Sequence, residues 1–319
     1  MKLLVLASGE FAIPTLRSIR SRGLHTIACV VTQPDRAAGR GRHAVPTPVK
    51  VWALETGLEV VEAPDVNDAS MVDRFRGLKA DLGVVIAFGQ KVGAALIDAF
   101  PLGCINLHAS LLPKFRGAAP YQWAILTGER ETGVTVFRLT ARMDGGPILT
   151  RRSTAIRPDE TADELHDRLA RIGPDAVNAA LELFIDGVAP AGSPQPDEGA
   201  SRAPKLSKRD GRLDFTAPGG QTVRRILGLW SWPGAVCLFA SADGKRRERV
   251  TIARARTPAG AGAPRSPGVI DERLYVSAAD GWIELLEIKP ESGRLMTWQE
   301  FVNGRHVRAG DRFESIVES

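Results

Sequence analysis

A strand, a helix and a second strand follow one another at the start of the chain, and this order constrains the fold more than any other feature. Residues 2–7 (KLLVLA) are an apolar run typical of a buried strand, and the helix that follows is predicted to end at Gly23. Residues 25–32 form the next apolar run. Strands joined through a helix lie parallel in one sheet. We therefore expect an α/β fold with a Rossmann-like, mostly parallel sheet.

The turn after the first strand argues against a nucleotide cofactor. It contains a single glycine, Gly9, whereas a dinucleotide-binding turn has three at fixed spacing. The Gly-Arg-Gly of residues 39–41 does not join a strand to a helix, and the sequence has no Walker-type loop. The chemistry of this sheet must therefore come from other residues.

Length and composition indicate a two-domain cytoplasmic protein. The 319 residues are enough for two domains, and 44% apolar with 25% charged residues is ordinary for a globular chain. No apolar run approaches the roughly 18 residues of a membrane span, and the apolar start is too short for a signal peptide. Cys29, Cys104 and Cys237 are far apart without metal-ligand spacing, so we expect buried thiols and no metal.

Positive charge is concentrated in the second half of the chain. Residues 1–188 contain 22 Lys and Arg against 21 Asp and Glu, a net of +1. Residues 201–260 contain 13 against 4, a net of +9. Such an excess fits a polyanionic partner such as nucleic acid, and on charge alone it fits a solvated basic surface equally well.

Residues 104–117 (CINLHASLLPKFRG) present an amide and an imidazole together. Side chains alternate along a strand, so Asn106 and His108 face one side while Ile105 and Leu107 face the other. Pro113 then stops the strand. An amide donor beside a group that moves protons suits chemistry at a carbonyl carbon. Alternatively, both side chains bond only to the backbone.

Two further segments contain charged residues that could take part in catalysis or binding. Asp144 lies in the turn Met143–Pro147, where it either completes a proton-transfer site or forms an Asx turn. Residues 33–48 are predicted to be a long loop without regular structure, containing Arg36, Arg40 and Arg42. Arginines between flexible glycines suit a phosphate backbone, or simply a solvated loop.

The C-terminal part changes character after a segment rich in proline and glycine. We expect a catalytic domain over 1–188, a linker over 189–206 and a small OB-like barrel over 207–319. Residues 230–233 (WSWP) are interpreted as core rather than as a base-stacking platform. The predicted strands of this part are 235–240, 248–256, 267–271, 273–277 and 282–288, after a helix at 220–229.

The motif of Asn106 and His108 followed by Ser110–Gly117, with Asp-Gly-Gly at 144–146, resembles the signature of the formyltransferases that use 10-formyltetrahydrofolate. Within that family, the whole chain is most similar to members whose acceptor is methionyl initiator tRNA. The resemblance implies that Asn106, His108 and Asp144 are catalytic and that 10-formyltetrahydrofolate is the formyl-donor co-substrate. It also implies folate contacts from Phe88, Gly89, Ser110, Leu111, Leu112 and Pro113, and tRNA contacts from Arg36, Arg40, Arg42, Lys205 and Lys208.

Two other functions stay open at this point. The first is a formyltransferase for a small amine such as a nucleotide amino sugar, which the basic segments disfavour. The second is an inactive RNA-binding relative, which Asn106, His108 and Asp144 disfavour. Hydrolysis of the folate is a weaker third possibility. We expect a monomer whose partners are tRNA and folate, with no membrane contact. In one respect the chain departs from the family pattern, with Val92-Gly93 where many members have Leu-Pro.

Overall fold

The computed structural model describes residues 1–38, 43–184, 187–259 and 263–316, which separate into two units. The first unit comprises Met1–Pro120, Thr132–Thr154 and His166–Ala203. The second comprises Tyr121–Glu131, Ala155–Leu165 and Pro204–Ser319. Along the described residues, no helix combines the length and the apolar character that crossing a bilayer requires. The expected boundaries at 188 and 206 stay a prediction.

A seven-stranded sheet forms the centre of the first unit. The strands up to residue 203 are β1 (Lys2–Ala7), β2 (Thr26–Thr32), β3 (Arg36–Ala38), β4 (His43–Val45), β5 (Val60–Glu62), β6 (Leu82–Ile86), β7 (Cys104–His108), β8 (Arg116–Gly117), β9 (Glu131–Arg138), β10 (Ile148–Ala155) and β11 (Arg202–Ala203). The sheet order is β10-β9-β7-β6-β1-β2-β5. From β7 through β6, β1 and β2 to β5, each strand is parallel to the next one in the sheet. Strand β9 is antiparallel to β7. The mostly parallel, Rossmann-like sheet is confirmed.

The helices are α1 (Ile13–Arg22), α2 (Pro48–Glu55), α3 (Ala69–Gly77), α4 (Ala94–Ile97), α5 (Pro120–Thr127), α6 (Ala162–Glu182), α7 (Gly219–Leu229) and α8 (Trp298–Arg305). Helices α1 to α4 connect the parallel strands, and α5 to α8 lie later in the chain. Helix α1 ends at Gly23, whose φ of 64° is the left-handed conformation that glycine adopts without strain. The strand–helix–strand start therefore has the form that the sequence predicts.

The segment 33–48 is not without regular structure, contrary to our expectation. Strands β3 and β4 form an antiparallel pair within it, with Arg36 opposite Val45. The Lys50 ammonium lies 2.8 Å from Asp35 and 2.6 Å from Glu62, which fixes the start of this pair against α2 and β5. Short strands of three residues leave too little periodicity to be recognised from sequence.

An antiparallel barrel forms the second unit. Its strands are β12 (Ala235–Ala240), β13 (Arg247–Arg256), β14 (Val276–Ser277), β15 (Trp282–Pro290), β16 (Met296–Thr297) and β17 (Arg312–Glu314), in the order β14-β15-β13-β12-β17 with β16 beside β15. Single bridges from Val269 to Arg312 and from Ile270 to Val276 connect the two outer strands. The sheet is therefore nearly closed, and the OB-like barrel is confirmed.

Three details of the second unit differ from expectation. Residues 267–271 form only single bridges and not a strand, and of the expected strand 273–277 only Val276–Ser277 form one. Helix α8 was not expected. Trp232 is 48% exposed, so its interpretation as a core residue is wrong. The core contains instead the rings of Phe239, Phe301 and Phe313, with centroids 5.3 and 5.7 Å from Phe239 to the other two.

Candidate active site

The C-terminal end of strand β7 presents Asn106 and His108 at one edge of the sheet. The neighbouring strand β6 is parallel, so its C-terminal end reaches the same edge, where open α/β sheets bind ligands. Ile105 and Leu107 are 1% and 3% exposed and pack into the interior, as alternation predicts. Asn106 is half-buried. Within the described part of the chain its side-chain amide has no hydrogen-bond partner, so it is available to a ligand.

The His108 ring is held in one orientation by a backbone carbonyl. Its Nε2 lies 2.9 Å from the carbonyl oxygen of Phe115. Because a carbonyl oxygen only accepts, Nε2 is the donor and carries a hydrogen. The ring is 7% exposed and packs edge-on against Phe137. In the neutral ring the other nitrogen, Nδ1, therefore carries no hydrogen and is the one able to accept a hydrogen bond.

The Asp144 carboxylate lies beside that nitrogen. Its Oδ2 is 3.9 Å from His108 Nδ1, an ion-pair distance rather than a hydrogen bond. The same oxygen accepts a hydrogen bond of 2.8 Å from the backbone N–H of Gly117. Three residues expected to be catalytic thus come from β7 and from the turn between β9 and β10. The structure brings His108 and Asp144 together, although 36 residues separate them in the sequence.

The turn that contains Asp144 has an unusual backbone. Asp144 has a φ of 45°, in the left-handed region that aspartate tolerates better than most residues. Two residues on, a Cβ on Gly146 would lie 1.8 Å from the carbonyl oxygen of Arg138, so only glycine fits there. The turn itself therefore requires the second glycine of the Asp-Gly-Gly sequence.

One residue that holds this turn was not expected from the sequence. The side-chain amide of Gln195 donates to the carbonyl oxygens of Asp144, at 2.9 Å, and of Gly146, at 2.8 Å. Gln195 lies in the stretch 189–206 that we expected to be a linker without pattern. It stands between prolines and belongs to no periodic segment, so no local signal points to it.

The residues expected to contact folate follow strands β6 and β7 and differ in their exposure. Phe88, Ser110 and Leu112 are at most 2% exposed, so their side chains face the interior and only their backbone groups can meet a ligand. Leu111 and Pro113 are half-buried, and Gly89 is exposed. These assignments stay predictions.

Side chains that follow β1 and β2, and one within β9, hydrogen-bond to the backbone of these residues. The Phe88 carbonyl accepts hydrogen bonds from Gln33 at 2.7 Å and from Ser8 at 3.2 Å. The Thr135 hydroxyl donates to the Ser110 carbonyl at 2.7 Å and accepts from the N–H of Leu112 at 3.1 Å. The backbone that would face a ligand is therefore fixed before any ligand binds.

The basic residues expected to meet tRNA are only partly covered by the structure. Arg36 is exposed, and its guanidinium hydrogen-bonds to Gln33. Lys205 and Lys208 are exposed in the second unit. Arg40 and Arg42 lie outside the described residues. No group of three or more metal-ligating side chains occurs in the described ranges.

Comparison with known proteins identifies what the chain is similar to. Two family models match it: Formyl transferase over residues 1–181, and Formyl transferase, C-terminal domain, over residues 205–306. A relative named methionyl-tRNA formyltransferase, from Methylobacterium sp. (strain 4-46), is 38% identical over 312 residues. That alignment covers 98% of this chain and 99% of the relative.

Solved structures share the fold at lower identity. HypX from Aquifex aeolicus in complex with tetrahydrofolic acid has a TM-score of 0.62 and 17% identity, covering 94% of this chain and 46% of that one. An N-formyltransferase from Helicobacter canadensis, in complex with folinic acid and dTDP-3-aminofucose, has a TM-score of 0.64 and 16% identity. It covers 89% of this chain and is itself covered to 99%. At such identities the likeness shows the fold alone.

Proposed function

Since this chain belongs to the formyl transferase family, we propose that it transfers the formyl group of 10-formyltetrahydrofolate to the α-amino group of methionyl initiator tRNA. The observation that carries the proposal is the meeting of His108 and Asp144, whose Nδ1 and Oδ2 atoms are 3.9 Å apart, in a strand where Asn106 faces the same side as His108. The relative at 38% identity over nearly the whole chain supports the choice of acceptor.

The proposed reaction is an attack of the amine nitrogen on the formyl carbon. A carbon–nitrogen bond forms, and the formyl oxygen gains negative charge, which the Asn106 amide stabilises by donating a hydrogen bond. The intermediate then breaks its bond to N10 of the folate. The amine loses one proton and N10 gains one, so atoms and charge balance.

His108 and Asp144 manage these protons. With Nε2–H bound to the Phe115 carbonyl, Nδ1 is the nitrogen that takes up and returns a proton. The charge on the imidazolium also helps to stabilise the oxygen of the intermediate. Asp144 orients the ring and accepts the one proton that the amine loses, directly or through water, and His108 Nδ1 passes this proton on to N10.

Phe88, Gly89, Ser110, Leu111, Leu112 and Pro113 are proposed to hold the folate along the edge of the sheet. A Cβ on Gly89 would lie 2.3 Å from the Gln33 amide nitrogen, so glycine is required for the bond that braces the Phe88 carbonyl. This rigid backbone supports a role in recognising a flat, hydrogen-bonding ring such as a pterin.

Alanine substitution of Asn106 and His108 tests the catalytic roles. One oxyanion donor is typically worth about 10²–10³ in rate, and one positioned acid or base about 10²–10⁴. Asn106→Ala and His108→Ala should each lower kcat at least about tenfold with little change in melting temperature. Asn303→Ala, on the exposed surface of α8, is the matched control. Full turnover by either folded site variant contradicts the assignment.

The acceptor is tested with the basic residues. We propose that Arg36, Arg40, Arg42, Lys205 and Lys208 contact tRNA phosphates, and that the exposed Trp232 offers a face on which a base can stack. Arg40→Ala should raise KM for tRNA and leave KM for folate unchanged, because loss of a phosphate contact weakens only the acceptor. Unaltered tRNA kinetics would refute this contact.

A direct assay separates this function from formylation of a small amine. The protein is incubated with 10-formyltetrahydrofolate and either aminoacylated initiator tRNA or a nucleotide amino sugar. Formylmethionine with tRNA and no formylated sugar supports the proposal, and the reverse overturns it.

We propose a catalytic domain over residues 1–188, which holds the folate and the reacting groups. A second domain over 207–319 is proposed to bind tRNA, with 189–206 between the two domains. We propose that the enzyme acts as a monomer in the cytoplasm. Cys29, Cys104 and Cys237 are free and buried, which supports a reducing compartment.

A further inference from the structure

The segment 193–203, which we name the clamp segment, contacts the residues that hydrogen-bond to the side chains of His108 and Asp144. It begins where Ser193 exchanges backbone hydrogen bonds of 2.8 Å with Ile148 in β10. It ends as strand β11, which pairs in parallel with β8, so that Arg202 lies opposite Arg116 and Ala203 opposite Gly117. All of these residues belong to the first unit.

Gln195 uses both ends of its amide within this segment. Its nitrogen donates to the Asp144 and Gly146 carbonyls, which consumes both of its hydrogens. Its oxygen accepts from the Arg116 guanidinium, at 3.1 Å from Nε and 2.8 Å from Nη2. Because Arg116 donates to the oxygen, the amide is oriented with its nitrogen toward the turn. The backbone on both sides of Gly145 is thereby held.

The clamp segment also fixes the two backbone groups that contact the catalytic side chains. The Ser201 hydroxyl accepts from the N–H of Phe115 at 2.9 Å, and the Phe115 carbonyl is the acceptor of His108 Nε2–H. The N–H of Gly117, paired through β8 with β11, donates to the Asp144 carboxylate. The clamp segment therefore holds the imidazole and the carboxylate through three contacts. They are Gln195 with the turn of Asp144, Ser201 with Phe115, and β11 with β8.

We propose that Gln195 is a positioning residue for Asp144, with Arg116 as the group that orients its amide. This inference rests on the catalytic role proposed above for Asp144. Gln195 sets the main chain of the turn while Gly117 sets the carboxylate, and the two together keep Oδ2 beside His108 Nδ1. A small displacement of a reacting group is enough to lower the rate up to about a hundredfold.

Gln195→Glu is the sharpest variant because it keeps the size of the side chain and a partner for Arg116. It removes both N–H donors and turns a carboxylate oxygen toward two carbonyl oxygens. We expect kcat to fall at least about tenfold while KM for folate and KM for tRNA stay within about twofold, since Gln195 contacts no substrate in the proposed reaction. Gln299→Glu, on the exposed surface of α8, is the matched control. Gln195→Met repeats the test without a new charge if the Glu variant does not fold.

A double-variant comparison separates positioning from general support of the fold. In an Asp144→Ala background, measured in single turnover with excess enzyme, Gln195→Glu should cause no further loss, because the carboxylate it positions is absent. An equal loss in both backgrounds, or a rise in KM without a fall in kcat, overturns the inference. Normal kcat in Gln195→Glu together with a low kcat in Asp144→Ala also overturns it while leaving the proposed function intact. Normal kcat in Asp144→Ala removes the catalytic role of Asp144 itself, and with it this inference.

Discussion

Gly117 supports the carboxylate of Asp144 although it has no side chain of its own. Its φ of 131° lies in the region that favours glycine, and a Cβ there would be 2.4 Å from the Ala203 carbonyl oxygen. The close approach of β8 to β11 therefore depends on this glycine. Since its N–H also donates to Asp144, the same position contributes to the fold and to the site.

Gly117→Ala should lower both stability and activity. A non-glycine residue in a sparsely populated backbone region costs about 1–3 kcal/mol, and separation of β8 from β11 would move the N–H away from Asp144. We expect a lower melting temperature and a kcat reduced by at least about tenfold. Gly281→Ala is the matched control, because nothing lies within 4 Å of its added Cβ. An active, normally stable Gly117→Ala enzyme would show that this close approach is dispensable.

Residues of the site differ in how far the sequence indicated them. Asn106 and His108 follow from strand alternation and from a compact motif, and the Asp-Gly-Gly turn is visible in three letters. Gln195 is not, because its partners are backbone carbonyls about 50 residues away and its neighbours show no period. A hydrogen bond to a distant backbone group leaves no trace in local sequence.

At the scale of elements, helix α8 has a recognisable start. The Thr297 hydroxyl accepts from the N–H of Glu300 at 3.2 Å, and the Glu300 carboxylate accepts from the N–H of Thr297 at 2.8 Å. This reciprocal pair is a capping box, written in the sequence as Thr-Trp-Gln-Glu. The helix was therefore predictable from its cap, whereas β3 and β4 were not, because three-residue strands are held by contacts from elsewhere.

Thr297→Ala should destabilise the second unit. Loss of an N-cap hydroxyl typically costs about 0.5–2 kcal/mol, and helix α8 supplies Phe301 to the core of the barrel. We expect the free energy of unfolding, measured by urea denaturation, to fall by this amount. Thr257→Ala, an exposed threonine after β13, serves for comparison. Equal stability of the two variants would mean that the cap contributes nothing.

At the scale of the whole molecule, the three thiols lie in the cores of both units. Cys29 and Cys104 belong to the first unit and Cys237 to the second, and all three are buried. Burial raises the pKa of Cys29 to about 11 and that of Cys104 to about 12, and it also raises the pKa of Cys237. Because the thiolate is the reactive form, folded thiols should be inert.

Iodoacetamide at pH 8 should leave the folded protein unmodified and label all three cysteines after denaturation, as counted by mass spectrometry. The same pKa shifts have a consequence for stability. The thiol pKa is higher in the folded than in the unfolded protein, so the contribution of each thiol to the free energy of unfolding is complete below the ordinary thiol pKa. It is lost as the pH rises above that value, and unfolding becomes easier in alkaline solution. Rapid labelling of any thiol in the folded enzyme would contradict this description of the cores.

Sequence patterns predicted the parallel sheet and the antiparallel barrel. They did not predict which unit the segments outside these sheets, such as 155–165, belong to. Strand alternation over 235–240 and 282–288 was sufficient for the barrel. Residues 155–165 group with that barrel through Arg254, whose guanidinium contacts Glu164, Glu287 and the Asp159 carbonyl. Such a grouping depends on contacts between residues about 90 positions apart, and periodicity records only neighbours.

The clamp segment has a consequence for how the enzyme is made. A ribosome delivers the chain from its amino end, and early parts fold as they emerge. The nascent sheet acquires Asn106, His108 and Asp144 well before Gln195, Ser201 and Ala203 have left the exit tunnel. A newly made amino-terminal part therefore contains Asn106, His108 and Asp144 without the clamp segment, and the roles proposed above imply that activity begins only after residue 203 has been made.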